Sequence, residues 1–464
     1  MKMTEKDNRR VPLIDTHCHL DMSEFDNDRE EVIARAKDTG FEALISVGSD
    51  FVSTAKAMEL ATLYDFIYAA VGVHPHDAKD FSDEMYLGLA SRALNRKVVA
   101  IGETGLDYHY DHSPRDAQRE VFRKHLRLAK EAGLPVIVHS REAKEDTMAI
   151  LAESGIDRGV LHCFSGDLDM AEQAMSMGLF ISLAGPVTFK KSSRLREIAR
   201  LIPDEYLLIE TDAPYLSPEP FRGRRNEPSY LEHTAKFIAD LREISLDDLA
   251  RITTLNAKRL FGIGTLPDRA EIAYQIRDSL YLNITNRCTN ACSFCVKFRS
   301  DFVKGHRLRL SHEPTEEEIT RSIGDPSLYN EVVFCGYGEP LQRLDTVKHV
   351  ARWIKERGGR VRINTNGHAN LIHKRDILPE LKGIVDSISV SLDAQDEATY
   401  NRLCKPAFKN AHAEIIWFIR QAKEFIPDVQ ATVVELEGVD IEKCREIAAQ
   451  LGVKLRIRKL DVVG

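Results

Sequence analysis

No stretch of the 464 residues approaches 18 uninterrupted apolar positions, which rules out a helical membrane span on length alone. The opening MKMTEKDNRR is polar and leads into no apolar block with a small-residue cleavage site. A secretory signal is therefore not expected, and the cytoplasm is the default compartment. The composition lacks the bias of a disordered chain, with 43% apolar and 29% charged residues. It also lacks a broad excess of basic charge. Residues 1–264 carry 34 Lys/Arg against 44 Asp/Glu, and residues 265–464 carry 30 against 28. Neither part is a basic glove for nucleic acid, so any phosphate-handling site must rely on local basic residues or bound metal. Cysteine is sparse, at eight residues, and three of them bunch as Cys288, Cys292 and Cys295. Without a signal peptide, such a bunch reads as metal or cluster binding rather than a disulfide framework.

What is present is a repeated alternation of short β-rich runs with helix-length amphipathic segments. Length alone allows two or three domains at about 150 residues each. In the first half the strand candidates are VPLIDTHCHL (11–20), ALISVGS (43–49), IYAAVGVHP (67–75), VVAIGETGLD (98–107), PVIVHS (135–140), GVLHCF (159–164), LFISLAG (179–185) and LLIETDAP (207–214). Eight βα repeats in about 260 residues match a TIM barrel, with a doubly wound open sheet as the alternative. Metal-capable residues favour the barrel. His17 and His19 end the first strand, Glu103 the fourth, His139 the fifth, His162 the sixth and Asp212 the eighth. In a barrel these ends converge on one face. His-x-His on a strand turns both imidazoles to the same side. Four His, one Glu and one Asp are enough for two divalent ions sharing a carboxylate, which together can clamp a phosphoryl group. Zn, Mn and Mg all remain open as the metal. His76, His109, His112 and His125 read as surface or packing residues, and Cys18 and Cys163 as buried small hydrophobes.

The ordered motifs THCHLD, GVHPH, GETGLDY, VHSREA, LHCFSG, ETDAPYLSP and RGRRNEP, spanning residues 11 to 262, resemble the TatD family of metal-dependent deoxyribonucleases. The resemblance implies a TIM barrel of the metal-dependent hydrolase superfamily that cleaves phosphodiester bonds, often as a 3′-5′ exonuclease on single-strand ends of DNA. Carried over, it gives His17, His19 and Asp212 to one ion and His139 and His162 to a second, with Glu103 bridging. Asp212 would also accept the proton of the attacking water. His74, Arg224 and Arg225 are the candidate phosphate contacts, since guanidinium groups match phosphate oxygens bidentately. A non-nucleic-acid ester or amide is the alternative substrate class, because the same ions polarise carbonyls.

GTLPDRAEIAYQ reads as a connector, giving domains at 1–264 and 278–464 with a linker at 265–277. Six further strand candidates follow: SLYLNIT (279–285), EVVFCGYGEP (331–340), RVRINTNG (360–367), DSISVSLDA (386–394), VQATVVELE (429–437) and VKLRIRKLD (453–461). Six βα units suggest a partial, open barrel. After the first stands Cys288-Thr-Asn-Ala-Cys292-Ser-Phe-Cys295. Three thiolates in one loop suit a 4Fe–4S cluster with one iron left open. The C-x3-C-x2-C spacing, with Phe294 before the last cysteine, resembles the radical S-adenosylmethionine (SAM) superfamily signature, here closest to the compact type associated with TatD nucleases. That resemblance implies reductive SAM cleavage, fed by a flavodoxin or ferredoxin. It also implies cofactor contacts at the glycine-rich second strand end, Gly336, Gly338 and Glu339, where Tyr337 replaces the usual glycine. Asn364, Asn366, Ser391 and Asp393 close the third and fourth strands and are further candidates for cofactor or substrate contact. Cys335, Cys404 and Cys444 are too dispersed to suggest a second cluster. A redox-sensing or interaction module is the alternative role for this half.

Overall fold

The computed structural model describes residues 12–459. The polar N-terminal decapeptide, Val11 of the first expected strand and residues 460 and 461 of the last lie outside the described residues. The chain separates into two compact units, one ending at Leu266 and the other beginning at Pro267.

In the first unit eight parallel strands run in sequence order: β1 (Ile14–Cys18), β2 (Ala43–Val47), β3 (Ile67–Val71), β4 (Val98–Asp107), β5 (Val136–Arg141), β6 (Gly159–Leu161), β7 (Leu179–Leu183) and β8 (Leu207–Ile209). The ring closes just beyond β8, where the Asp212 N–H donates to the His17 carbonyl at 2.9 Å and the His19 N–H to the Ala213 carbonyl at 2.7 Å. A TIM barrel results. Its strands are apolar on both faces because both are covered. Alternate residues of β2 show the division: Ala43, Ile45 and Val47 join a cluster with Ile137, Val160 and Leu208, while Leu44 packs with the helical layer. Leu260 and Phe261, ending the helix Leu246–Phe261, complete the inner cluster.

The helices follow from local sequence. Arg115–Ala132 buries Val121, Phe122, Leu126 and Ala129, one stripe at helical spacing, and stops at Gly133 with φ 65°. Full burial of Phe122 or Leu126 is worth about 1.5–3 kcal/mol each.

In the second unit a seven-stranded sheet has β10 (Ser279–Leu282), β13 (Glu331–Phe334), β14 (Val361–Thr365), β15 (Ser387–Ser391), β16 (Asp428–Glu435) and β17 (Lys454–Lys459) parallel and adjacent in that order. Five of these lie within the expected runs, β16 starts one residue ahead of its run, and together they form the open partial barrel. The segment read as a linker contributes more than a connection. It supplies β9 (Ala273–Ile276), which pairs antiparallel with β10 at the sheet edge. A small ribbon of β11 (Phe302–Val303) and β12 (His306–Arg307) follows the cysteine loop. No helix among the described residues is long and apolar enough to cross a membrane.

Candidate active sites at the strand ends

The metal-capable residues of the first unit meet at the C-terminal ends of the barrel strands. The β1 pairing is irregular between Asp15 and Cys18, the interval that holds His17, the first of the two candidate ligands. His17 Nε2 and His19 Nε2 then stand 3.2 Å apart, with Cys18 turned into the helical layer. The second imidazole is held by its Nδ1, which donates to the Val47 carbonyl at 2.8 Å. On β4, Gly105 has φ 134°, and a Cβ there would lie 2.1 Å from the His139 carbonyl oxygen. Only glycine lets β4 lie this close to the neighbouring strand that carries His139.

Glu103 occupies the centre. Its Oε2 lies 3.5 Å from His17 Nε2 and 3.7 Å from His19 Nε2, and both imidazoles reach Asp212 Oδ1, at 3.8 and 3.5 Å. Its Oε1 lies 2.8 Å from His162 Nε2, 3.0 Å from His139 Nδ1 and 3.5 Å from His74 Nε2. Burial alone would raise the Glu103 carboxyl, but the imidazoles of His162, His74 and His139 reverse this and hold it well below its ordinary range. The same opposition, with His19 and His17 as the partners, lowers Asp212. Both acids are ionised at neutral pH.

These donors fit divalent metal. Imidazole nitrogens facing one another around carboxylate oxygens need a shared cation to reconcile their lone pairs. Neutral imidazole and carboxylate are the usual ligands of such ions. His17 Nδ1 and Glu210 Oε2 are also buried without a hydrogen-bond partner. Three groupings meet the distance requirement of a metal site: His17–His19–Asp212, His17–His162–Glu210 and His74–Glu103–His139. His74, expected as a phosphate contact, therefore stands among the candidate ligands. Burial drops its imidazole to about 3, so it is neutral.

Sequence reasoning missed two acids that orient ligands. Asp107 Oδ2 lies 3.1 Å from both His139 Nε2 and His76 Nε2. Glu210 Oε1 accepts the Cys163 N–H at 2.5 Å and lies 3.3 Å from His162 Nδ1. Such carboxylate partners fix the tautomer of a ligating imidazole. His76, read as a surface or packing residue, thus belongs to this network. Arg225 is committed elsewhere: its guanidinium holds Asp28 bidentately at 2.7 and 2.6 Å and the Glu24 carbonyl at 2.7 Å. Those bonds use the donors that were expected to meet phosphate. Arg224 lies on the same loop, exposed, with its guanidinium 6.0 Å from the Phe221 ring centroid.

Residues 14–262 match the family model described as TatD related DNase. The chain belongs to that family. Residues 282–451 match the radical SAM superfamily, so a radical SAM domain accompanies the TatD barrel. An uncharacterized metal-dependent hydrolase, YabD, of Bacillus subtilis is 50% identical over 253 residues, 54% of this chain and 99% of that protein. The 3′-5′ ssDNA/RNA exonuclease TatD of Erwinia tasmaniensis is 38% identical over 259 residues, 54% of this chain and all of its own length. Among solved structures, the TatD homologue YJJV of Escherichia coli K12 superposes with a TM-score of 0.53 at 33% identity, over 55% of this chain and all of that one.

In the radical SAM domain Cys288, Cys292 and Cys295 share the loop after β10, all free and partly exposed. The donor set suits an iron–sulfur cluster, with a polar frame behind it. Asn366 Nδ2 donates to Thr289 Oγ1 at 2.9 Å and lies 3.7 Å from Cys288 Sγ, while Asn290 Nδ2 donates to the Tyr400 hydroxyl at 2.9 Å. Cys404, too dispersed in sequence to suggest a second cluster, is hydrogen-bonded with Cys292 and buried, and both effects push its thiol up. Gly336 and Gly338 let the end of β13 lie against the end of β10, because a Cβ on either would strike Asn283 or the Thr285 and Arg287 carbonyls within 2.5 Å.

The Glu339 carboxylate is bonded within the protein, leaving any cofactor contact of this segment to its backbone. It is buried and accepts from the Leu341 N–H, the Thr365 hydroxyl and the Asn366 N–H at 3.0, 2.8 and 2.7 Å. Asn364 Oδ1 accepts from Arg362 at 2.8 Å. Asp393, at φ 54°, is buried with Oδ1 unpartnered beyond the C-terminal end of β15, and Ser391 is half-buried at the end of that strand. Tyr337 explains its departure from the glycine pattern. Its ring packs with Tyr274, Val303 and Leu308, away in a small apolar cluster.

Proposed function

We propose that the barrel is a two-metal phosphodiesterase that shortens single-stranded DNA from the 3′ end, joined to a radical SAM enzyme carrying one 4Fe–4S cluster. The observation that carries the first part is the Glu103 carboxylate, one oxygen facing His17 and His19 and the other facing His139 and His162. His17, His19 and Asp212 would hold one ion, His139 and His162 the other, with Glu103 between them. Two such ions, when bound, clamp a phosphoryl group and acidify a water. Asp212, ionised, would also be placed to accept a proton from an attacking water. Asp107 and Glu210 keep His139 and His162 in the tautomers that offer Nδ1 and Nε2 to the centre. The name of the Erwinia relative supports an exonuclease on single strands.

In the second domain Cys288, Cys292 and Cys295 would hold the cluster, leaving one iron for SAM, with an electron from a flavodoxin or ferredoxin. Cluster chemistry supplies reductive cleavage of the cofactor's carbon–sulfur bond. The bonds among Thr289, Asn290, Asn366 and Tyr400 would steady the loop at Cys288.

The test uses full-length protein stripped with chelator and reloaded separately with Mn, Zn or Mg. Labelled single-stranded DNA should shorten stepwise from the 3′ end only in the reloaded samples. Cleavage of small esters or amides without DNA cleavage would move the barrel to another substrate class. Anaerobic cluster reconstitution with dithionite should give 5′-deoxyadenosine from SAM, lost in the Cys288/Cys292/Cys295 triple-alanine variant. Loss of barrel activity on cluster oxidation, with no 5′-deoxyadenosine formed, would make the domain a redox sensor instead.

A further inference from the structure

The loop after β4 carries a feature that the metal centre does not use. Tyr110 is 50% exposed although it stands beside the centre. Its ring meets His76 and His109 edge-on, with centroids 5.5 and 4.7 Å away, and still leaves half its surface to water. The ring is firmly mounted. Asp107 Oδ1 accepts the N–H groups of His109 and Tyr110 at 3.0 and 2.9 Å, while Oδ2 of the same carboxylate holds His139. One side chain thus ties the aromatic loop to a candidate metal ligand.

The His112 ring lies 5.6 Å from that of Tyr110, centroid to centroid, at an interplanar angle of 5°. Parallel rings at that separation are offset, so the two form a broad shelf rather than a closed stack. The Arg141 guanidinium, at the end of β5, lies 4.8 Å from the Tyr110 centroid. The cleft that Arg141 borders is mixed in charge, with Glu142, Glu145 and Asp167 beside Lys144 and Arg194, and Lys144 is paired with Asp167 and Asp169. Arg141 is therefore the cation that this shelf offers. Aromatic stacking faces with a cation beside them are what sequence-independent binding of single-stranded nucleic acid uses.

We propose that Tyr110, extended by His112 and Arg141, is the stacking platform for the nucleobase next to the scissile phosphodiester. The proposal rests on the nuclease reading above and adds the subsite that holds the base. The flat ring admits any base, because every base offers a π face, whereas Arg141 would meet the neighbouring phosphate.

The test compares wild type, Tyr110→Ala and Tyr110→Trp, all full-length and metal-loaded, on two single-stranded oligonucleotides. One bears bases throughout; the other is abasic at its two 3′-terminal positions. Wild type is expected to prefer the base-bearing strand, and Tyr110→Ala to lose roughly 10-fold in kcat/KM on it, mainly through KM. The preference for the base-bearing strand should collapse in the alanine variant and return in Tyr110→Trp. An alanine variant that keeps the wild-type preference overturns the platform. So does an equal loss on both strands, or a loss accompanied by lowered metal content, since each marks a structural role. Wild type inactive on both strands removes the nuclease reading and the platform with it, an outcome distinct from the others.

Discussion

Replacing Asp107 by Asn tests the orientation of the second ion's ligands with almost no change of shape. His139 presents Nδ1 toward Glu103 and His162, so its Nε2 must carry the proton and donate it to Asp107 Oδ2. The other oxygen accepts two backbone N–H groups, from His109 and Tyr110. All four neighbours, counting His76, direct polar hydrogens or imidazole nitrogens at the carboxylate. An Asn amide offers one acceptor and one donor. Whichever way it turns, its NH2 confronts a donor, leaving a buried polar group unsatisfied at a cost of about 1–3 kcal/mol. Part of that falls on His139, whose competing tautomer would present a hydrogen to the metal. The expected outcome is a 10- to 100-fold loss of metal affinity at one of two sites, in line with other second-layer carboxylates. Chelator competition monitored with Mn, beside a thermal melt that stays within a few degrees of wild type, measures it. Two sites of unchanged affinity in Asp107→Asn would refute the reasoning.

Other outcomes follow from buried groups outside the metal centre. His125, whose Nε2 accepts the Val73 N–H at 3.1 Å and whose Nδ1 donates to the Val121 carbonyl at 2.9 Å, is lowered by burial to about 4. Its neutral form is favoured in the fold, so its contribution is complete above pH 6.5 and lost as pH falls toward 4, at most roughly 3 kcal/mol. Urea midpoints taken across that window should fall less steeply in His125→Gln, and parallel slopes would contradict this. In the radical SAM domain, Glu339→Gln confronts one of three donors with an amide NH2 and should cost about 1–3 kcal/mol. Hydrogen exchange at the ends of β13 and β14 should accelerate, and unaltered protection would count against the assigned bonds.

The barrel and the gathering of its metal-capable residues were legible because their signals are local. The His-x-His spacing fixes side by strand alternation, and runs ending in His, Glu or Asp announce strand ends that a closed ring brings together. Asp107 and Glu210 lay within or beside the quoted motifs but escaped notice. Their roles depend on which imidazole the next strand sets opposite, a matter of inter-strand register. Arg225 misled for a similar reason, since Asp28 is 197 residues away in sequence. The strand β9 was hidden by its length of four residues and by the Pro- and Gly-containing connector before it. Glu339 stands in the glycine-rich segment as expected, but the motif gave no sign that its carboxylate accepts from the Leu341 and Asn366 N–H groups and the Thr365 hydroxyl.

The most direct test of two ions sharing Glu103 is a metal count. Full-length protein with its cluster reconstituted, then stripped of labile metal and reloaded with Mn, is analysed for manganese, which iron does not obscure. Two manganese per chain in wild type, falling below one in Glu103→Gln, is the result expected. One or none in wild type, or two retained in the variant, would contradict the account.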